Sequence, residues 1–190
     1  MTSKALVTAS IMAATVMHAL DMTIANVALP HMQGTLLATQ DQISWVLTSY
    51  VVASAIMTPP TGILAARMGR KRFFQWSIAG FTVASLLCGF ASSLSEMVFF
   101  RLLQGACGAA LIPVSQAILL DTYPRERHAQ AMAMWGVGIM VGPILGPTVG
   151  GYLTELYDWR WIFFINLPIG IIAMLGVAAT VPETPRDPNR

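Results

Sequence analysis

ALVTASIMAATVMHALDMTIANVALP, residues 5–30, runs its whole length with a single charged side chain, Asp21. A helix rises 1.5 Å per residue and needs about 20 mainly apolar residues to cross the hydrocarbon of a bilayer. This stretch is long enough to cross, and it takes one acid in with it. Downstream the pattern recurs five times. Residues 42–66, 73–95, 129–154 and 161–182 carry no Asp, Glu, Lys or Arg, and residues 97–120 carry only Arg101. The reading is an all-α membrane protein of six spans, approximately 6–30, 43–66, 73–94, 97–119, 130–153 and 161–181. Residues 183–190 read as a polar, proline-punctuated cytoplasmic tail. Strands are disfavoured, because a barrel shows period-two alternation in segments of about 10 residues.

Composition agrees. Of 190 residues, 55% are hydrophobic and 11% charged, against about 25% charged in a soluble domain. That excludes a disordered chain and argues against a soluble enzyme. Mean hydropathy is +0.63. A net charge of +2 gives no ground for a nucleic-acid partner. Cys88 and Cys107 form no CxxC pair and read as small buried hydrophobes. His18, His31 and His128 are too scattered for a metal site, and the sequence calls for no cofactor. The first apolar segment is too long for a secretory signal and five more follow it.

The basic residues fix the orientation. Lys4, Arg67, Arg70, Lys71, Arg72, Arg125, Arg127, Arg186 and Arg190 all fall on one side if six helices alternate. The other side holds His31, Asp41, Glu96, Glu155, Asp158 and Arg160. The positive-inside rule then makes both termini cytoplasmic. Trp45, Trp159 and Trp161 fall near the outer interface, where amphipathic rings favour the headgroup level.

Three features do not suit plain lipid-facing helices. Asp21 costs about 2.5–3.5 kcal/mol at mid-membrane, so it must face a cavity, pair with a cation or be protonated. Desolvation and a neighbouring cation pull its ionisation in opposite directions, which suits a proton carrier. The plainer reading is a packing hydrogen bond to Thr23 or Asn26. Arg101 either snorkels to headgroups or faces another helix in a polar stripe with Gln104, beside Gly105 and Gly108. An Asp21–Arg101 pair is possible in depth. In the fifth span Gly138, Gly142, Gly146 and Gly150 recur every four residues beside Pro143 and Pro147. Such a helix makes close contacts and bends; a GxxxG dimer face accounts for the glycines alone. Between spans two and three, Gly62 before the turn and Gly69 within it make a tight reversal that holds Arg67, Arg70, Lys71 and Arg72 close to neighbouring helix ends.

These strings resemble the N-terminal half of a major facilitator superfamily transporter, of the EmrB/QacA-type drug:proton antiporters with fourteen helices. Residues 62–72, GILAARMGRKR, resemble the cytoplasmic loop signature GxLaDrxGrr. Residues 101–110, RLLQGACGAA, resemble the fourth-helix RxxQGxGaA signature. Gly138 to Gly151 resembles the glycine–proline antiporter signature of the fifth helix. LDMTIANVALP, residues 20–30, and WRWIFFINLPIG, residues 159–170, are similar to first- and sixth-helix strings of the drug exporters. The loop departs from its signature at Ala66, where an aspartate is usual.

The resemblance implies proton-coupled efflux of small hydrophobic or cationic compounds across the cytoplasmic (inner) membrane of a bacterium. It places Asp21, Asn26, Arg101 and Gln104 at the proton-coupling and substrate cavity. It makes the face of Gly142, Pro143, Gly146, Pro147 and Gly150, with Gly138 and Gly151, a packing surface toward the C-terminal half. It makes Gly62, Arg67, Gly69, Arg70 and Lys71 a cytoplasmic latch. Its partners are the lipid bilayer, protons, substrate, a missing C-terminal helical half or a dimer partner, and a periplasmic adaptor. Export of a metabolite or siderophore, or a truncated non-transporting six-helix protein, are the alternatives. No HExxH, nucleophile–base constellation or Walker loop supports an enzyme.

Overall fold

The computed structural model describes residues 4–183, so all but Glu183 of the expected tail lies outside the described residues. Among them there are helices and no strands. The first span is one helix, α1 (Lys4–Thr35), which carries Pro30 without a break. It outruns the expected end at residue 30, and Asp21 sits near the helix middle. A capping box at Thr39 starts α2 (Gln40–Ile43): Thr39 Oγ1 accepts from Gln42 N–H, and Gln42 Oε1 accepts from Thr39 N–H.

The second span is broken. After α2 come α3 (Trp45–Met57) and α4 (Thr61–Met68), bent by 59° about the Thr58–Pro59–Pro60 turn. Two adjacent prolines remove two ladder donors there, which explains the break. Gly69 (φ 87°, ψ 135°) then reverses the chain. A side chain is strained at such an angle, so this position requires glycine. Gly62, by contrast, lies inside α4, and nothing stands within 4 Å of a Cβ added to it. The reversal belongs to Gly69 alone.

The third span is α5 (Arg70–Phe90). The fourth comprises α6 (Leu94–Gly108) and α7 (Leu111–Thr122), and the fifth α8 (His128–Ile139) and α9 (Val141–Leu156). The sixth comprises α10 (Trp161–Phe164) and α11 (Asn166–Thr180). Each of these three interruptions has a proline just beyond it: Pro113, Pro143 and Pro168. A proline cannot donate to the carbonyl four residues back, here Ala109, Ile139 and Phe164, so the ladder lapses where the helix divides.

Helix α1 is the centre of the bundle. It packs along α9 on one side and α11 on the other; α11 continues to α5, α5 to α6, and α6 to α3. Two apolar clusters divide its length. Val7, Ile11, Ala14 and Met17 join Phe74, Ile78, Phe81, Leu111 and Val177. Ile24, Ala28 and Met32 join Val46, Met97, Trp159 and Phe163. Asp21 falls between them. Outward-facing side chains such as Ile56, Trp76, Phe90, Val137, Ile144 and Ile172 are exposed, as suits a surface solvated by lipid. Of the expected interfacial tryptophans, Trp45 and Trp161 are exposed, but Trp159 is buried. Its Nε1 donates to Thr35 Oγ1 at 3.2 Å and its ring lies under the Arg160 guanidinium.

Candidate functional site

Asp21 is 1% exposed and accepts three hydrogen bonds, each from a different element or side chain. Its Oδ2 takes Arg101 Nη1 at 2.7 Å. Its Oδ1 takes Gln104 Nε2 and Asn166 Nδ2, both at 2.8 Å. Arg101 is as buried as its partner. Its Nε donates to Val46 O at 3.1 Å, on α3, and Nη1 also donates to Gln104 Oε1 at 2.8 Å. The guanidinium lies 4.2 Å from the Tyr50 ring centroid, a cation–π contact strengthened by desolvation. Arg101 therefore points inward, and the headgroup-directed alternative does not hold.

Arginine suits this position because its planar fork reaches a carboxylate, an amide and a backbone carbonyl at once. Gly105 lets α6 close on α3, since a Cβ there would strike the Tyr50 carbonyl oxygen. The network extends on both sides. Tyr50 Oη bonds His18 Nδ1 at 2.9 Å, and Cys88 Sγ donates to Gln104 Oε1 at 3.6 Å. Asn166 Nδ2 also donates to Ser85 Oγ at 2.8 Å, and Ser85 Oγ donates to Phe163 O at 2.9 Å. His18 lines a cavity of about 330 Å³ with Met22, Thr23, Ile112, Met140 and Pro143.

The structure thus gathers Asp21, Arg101 and Gln104 but leaves Asn26 apart. Asn26 is exposed and donates to Met22 O in its own helix, and Thr23 bonds Ala19 O, Leu20 O and Gly142 O. Neither is the packing partner of Asp21. Sequence reasoning passed over Asn166, Ser85, Tyr50 and His18. Asn166 and His18 had a visible signal, a polar side chain inside an apolar span; Ser85 and Tyr50 had none.

The fifth-span glycines call for a correction. Gly142 and Gly146 are buried against α1, where an added Cβ would meet Ala19 (2.6 Å) and Thr23 Oγ1 respectively. Gly150 meets Ile24 in the same way, and Gly138 faces Met12. The glycine row is occupied by helix α1 of this same bundle, so it is free neither for a C-terminal half nor for a second copy. What the fifth span leaves open is its other side: Pro143, Ile144, Leu145, Pro147 and Thr148 are exposed, and a Cβ added to Gly151 would meet nothing from another element within 4 Å. Only 11% of its most apolar window is buried, against 56% for the first span.

At the basic end, Arg70 is paired with Asp121 at the last turn of α7. Lys71 Nζ donates to Ala178 O at 2.9 Å near the end of α11, a favourable place for a cation. Arg72 lies 3.7 Å from Glu183. These ties join the second-to-third turn to the ends of the fourth and sixth spans.

The profile of the Major Facilitator Superfamily matches residues 11–190. The chain belongs to that superfamily. It is 46% identical over 176 residues to the multidrug export protein EmrB of Escherichia coli K12, covering 93% of this chain and 34% of that protein. It is 47% identical over 167 residues to the fatty acid resistance protein FarB of Neisseria gonorrhoeae, covering 88% and 33%. The chain spans about a third of the length of these curated relatives. Among solved structures it is similar to the inward-open xylose transporter XylE from E. coli (TM-score 0.85, 15% identity, 96% of this chain and 49% of that one). At that identity the likeness carries the fold alone, and it makes this bundle an N-terminal half of the superfamily fold.

Proposed function

We propose that the chain is the N-terminal half of a proton-coupled exporter of hydrophobic or cationic compounds in the cytoplasmic (inner) membrane. The observation that carries this reading is the Asp21–Arg101 pair, fully buried midway along the first span. A membrane acid held by a single arginine has two states of different charge. Ionised, Asp21 binds Arg101, Gln104 and Asn166 together. Protonated, it loses most of its attraction for Arg101, and the fourth span is freed to repack against the second. Each state has its own affinity for substrate, as exchange requires, and the proton gradient biases which one faces outward. The names of the relatives, multidrug export and fatty acid resistance, support efflux of hydrophobic cargo.

The remaining residues take supporting roles. Asn26 and Met22 present the exposed side of α1 to substrate, beside the cavity lined by His18 and Pro143. Gly138, Gly142, Gly146 and Gly150 seat the fifth span on α1, leaving Pro143, Pro147 and Gly151 toward a second helical half that completes the cavity. Gly69, Arg67, Arg70 and Lys71, with Gly62, brace the cytoplasmic end. A periplasmic adaptor carries cargo onward.

The test is Asp21→Asn in the full-length exporter, assayed for dye efflux and proton movement in everted membrane vesicles. The expected result is normal membrane insertion with loss of coupled efflux. Proton-coupled efflux at the unsubstituted rate would remove Asp21 from the mechanism. The second reading, an exporter of anionic amphiphiles, is favoured by the relative named for fatty acid resistance; efflux of a labelled fatty acid without efflux of cationic dyes would select it.

A further inference from the structure

An orphan in the centre of the bundle supplies one more inference. Asn166 is 1% exposed, its Nδ2 makes two hydrogen bonds, and its Oδ1 is buried without a partner. Buried polar atoms almost always have partners, so an exception asks for a reason. The amide cannot be turned over while Asp21 is charged, because Oδ1 would then face a carboxylate oxygen.

We propose that Asn166 Oδ1 is the acceptor for the hydroxyl of protonated Asp21, and that Asn166 passes the protonation through Ser85 to the backbone of the sixth span. This rests on the reading that Asp21 gains and loses a proton. A carboxylate only accepts hydrogen bonds, and three N–H groups converge on this one. The neutral acid carries an O–H that must donate. Gln104 Oε1 already takes Arg101 and Cys88, and Val46 O takes Arg101 Nε. Asn166 Oδ1, on the amide that already meets Asp21, has no partner. A half-turn of the amide exchanges its oxygen and nitrogen, so that Oδ1 faces both the Asp21 hydroxyl and Ser85, and Nδ2 moves to the unpartnered place that Oδ1 held.

Ser85 cannot then accept from the amide as before. Its hydroxyl turns from Phe163 O to donate to Oδ1, and the Phe163 carbonyl loses that bond while keeping the Ile165 N–H. No covalent bond changes, and the proton stays on Asp21. Phe163 lies two residues before the α10–α11 interruption at Ile165, where Pro168 already withholds a helical donor. The signal therefore reaches the sixth span where its ladder is weakest. The other ionisable or charged groups around Asp21 are Arg101 from α6, His18 from α1, Tyr50 from α3 and Cys88 from α5.

The test is infrared difference spectroscopy, acid against alkaline, on the full-length protein in lipid vesicles. Side-chain-labelled asparagine and backbone-labelled phenylalanine mark the two carbonyls, and Asp21→Asn assigns the carboxylic acid band. As Asp21 is protonated, an asparagine carbonyl band should move to lower frequency and a phenylalanine carbonyl band to higher. Both changes should vanish in Asp21→Asn and in Asn166→Leu. In Ser85→Ala, which leaves Asn166 against Asp21, the asparagine change should persist and the phenylalanine change should be lost. Ser85→Ala carries the test if Asn166→Leu fails to fold. An Asp21 acid band with no asparagine change overturns this proposal and leaves the proton reading standing. No Asp21 acid band at any pH overturns both.

Discussion

At the residue scale, the Asp21–Arg101 pair is both a cost and a constraint. Neither charge reaches solvent, and each is tolerated because the other is 2.7 Å away with amides filling the remaining sites. Removing one partner strands the other, which typically costs about 3–5 kcal/mol. Arg101→Ala and Asp21→Asn should therefore both lower the thermal unfolding temperature in detergent, the first by also emptying the space over the Tyr50 ring and the second by leaving the Arg101 cation without its counter-ion. Arg101→Lys should recover only part of the loss, because an ammonium cannot reach Val46 O, Gln104 and Asp21 together. The pair Asp21→Leu with Arg101→Met should restore unfolding temperature toward the original value while leaving proton coupling absent, since buried ion pairs can be replaced by apolar groups at little cost. Equal unfolding temperatures for Arg101→Ala and the unsubstituted protein would show that the pair does not hold the bundle together.

At the element scale, the fifth span and the loop before the third make separable predictions. Gly146→Val forces a side chain into Thr23, and overpacking of this kind costs about 1–3 kcal/mol. Gly151→Ala, on the open side of the same helix, should leave thermal stability unchanged. Gly69→Ala imposes a strained angle and should cost about 1–3 kcal/mol, whereas Gly62→Ala should be neutral or slightly stabilising in its helix. Melting curves of the four variants check the ranking. The six apolar runs were legible because lipid demands length without charge, and Asp21 and Arg101 stood out for the same reason. The four-residue glycine spacing revealed a face but could not name its neighbour, so α1 was missed as the occupant. The same reasoning applies to Pro113 and Pro168, but the apolar runs of the fourth and sixth spans do not by themselves show the helix divisions before them. Asn166 is visible as an amide in an apolar run, but such an amide does not announce which carboxylate it meets.

At the scale of the whole molecule, orientation rests on the basic residues gathered at one end. Arg70, Lys71 and Arg72 bind neighbouring helix ends there, and Leu37, 92% exposed at φ 51°, marks the turn at the other end. In a background without Cys88 and Cys107, Leu37→Cys should react with a membrane-impermeant maleimide in intact cells. Arg125→Cys should react only after the membrane is opened. The reverse pattern would invert the topology.

The central position of α1 also governs how the protein is made. Asp21 and Arg101 are 80 residues apart in sequence, and chains elongate at about 5–20 residues per second. For about 4–16 s, then, the first span is exposed to the translocon and lipid with an acid whose counter-ion has not been synthesised. The fifth span, whose glycines clasp it, arrives later still. A helix needed first is thus the last to be fully partnered, and the segment most central to the finished bundle is the one most dependent on insertion machinery while the rest is being translated.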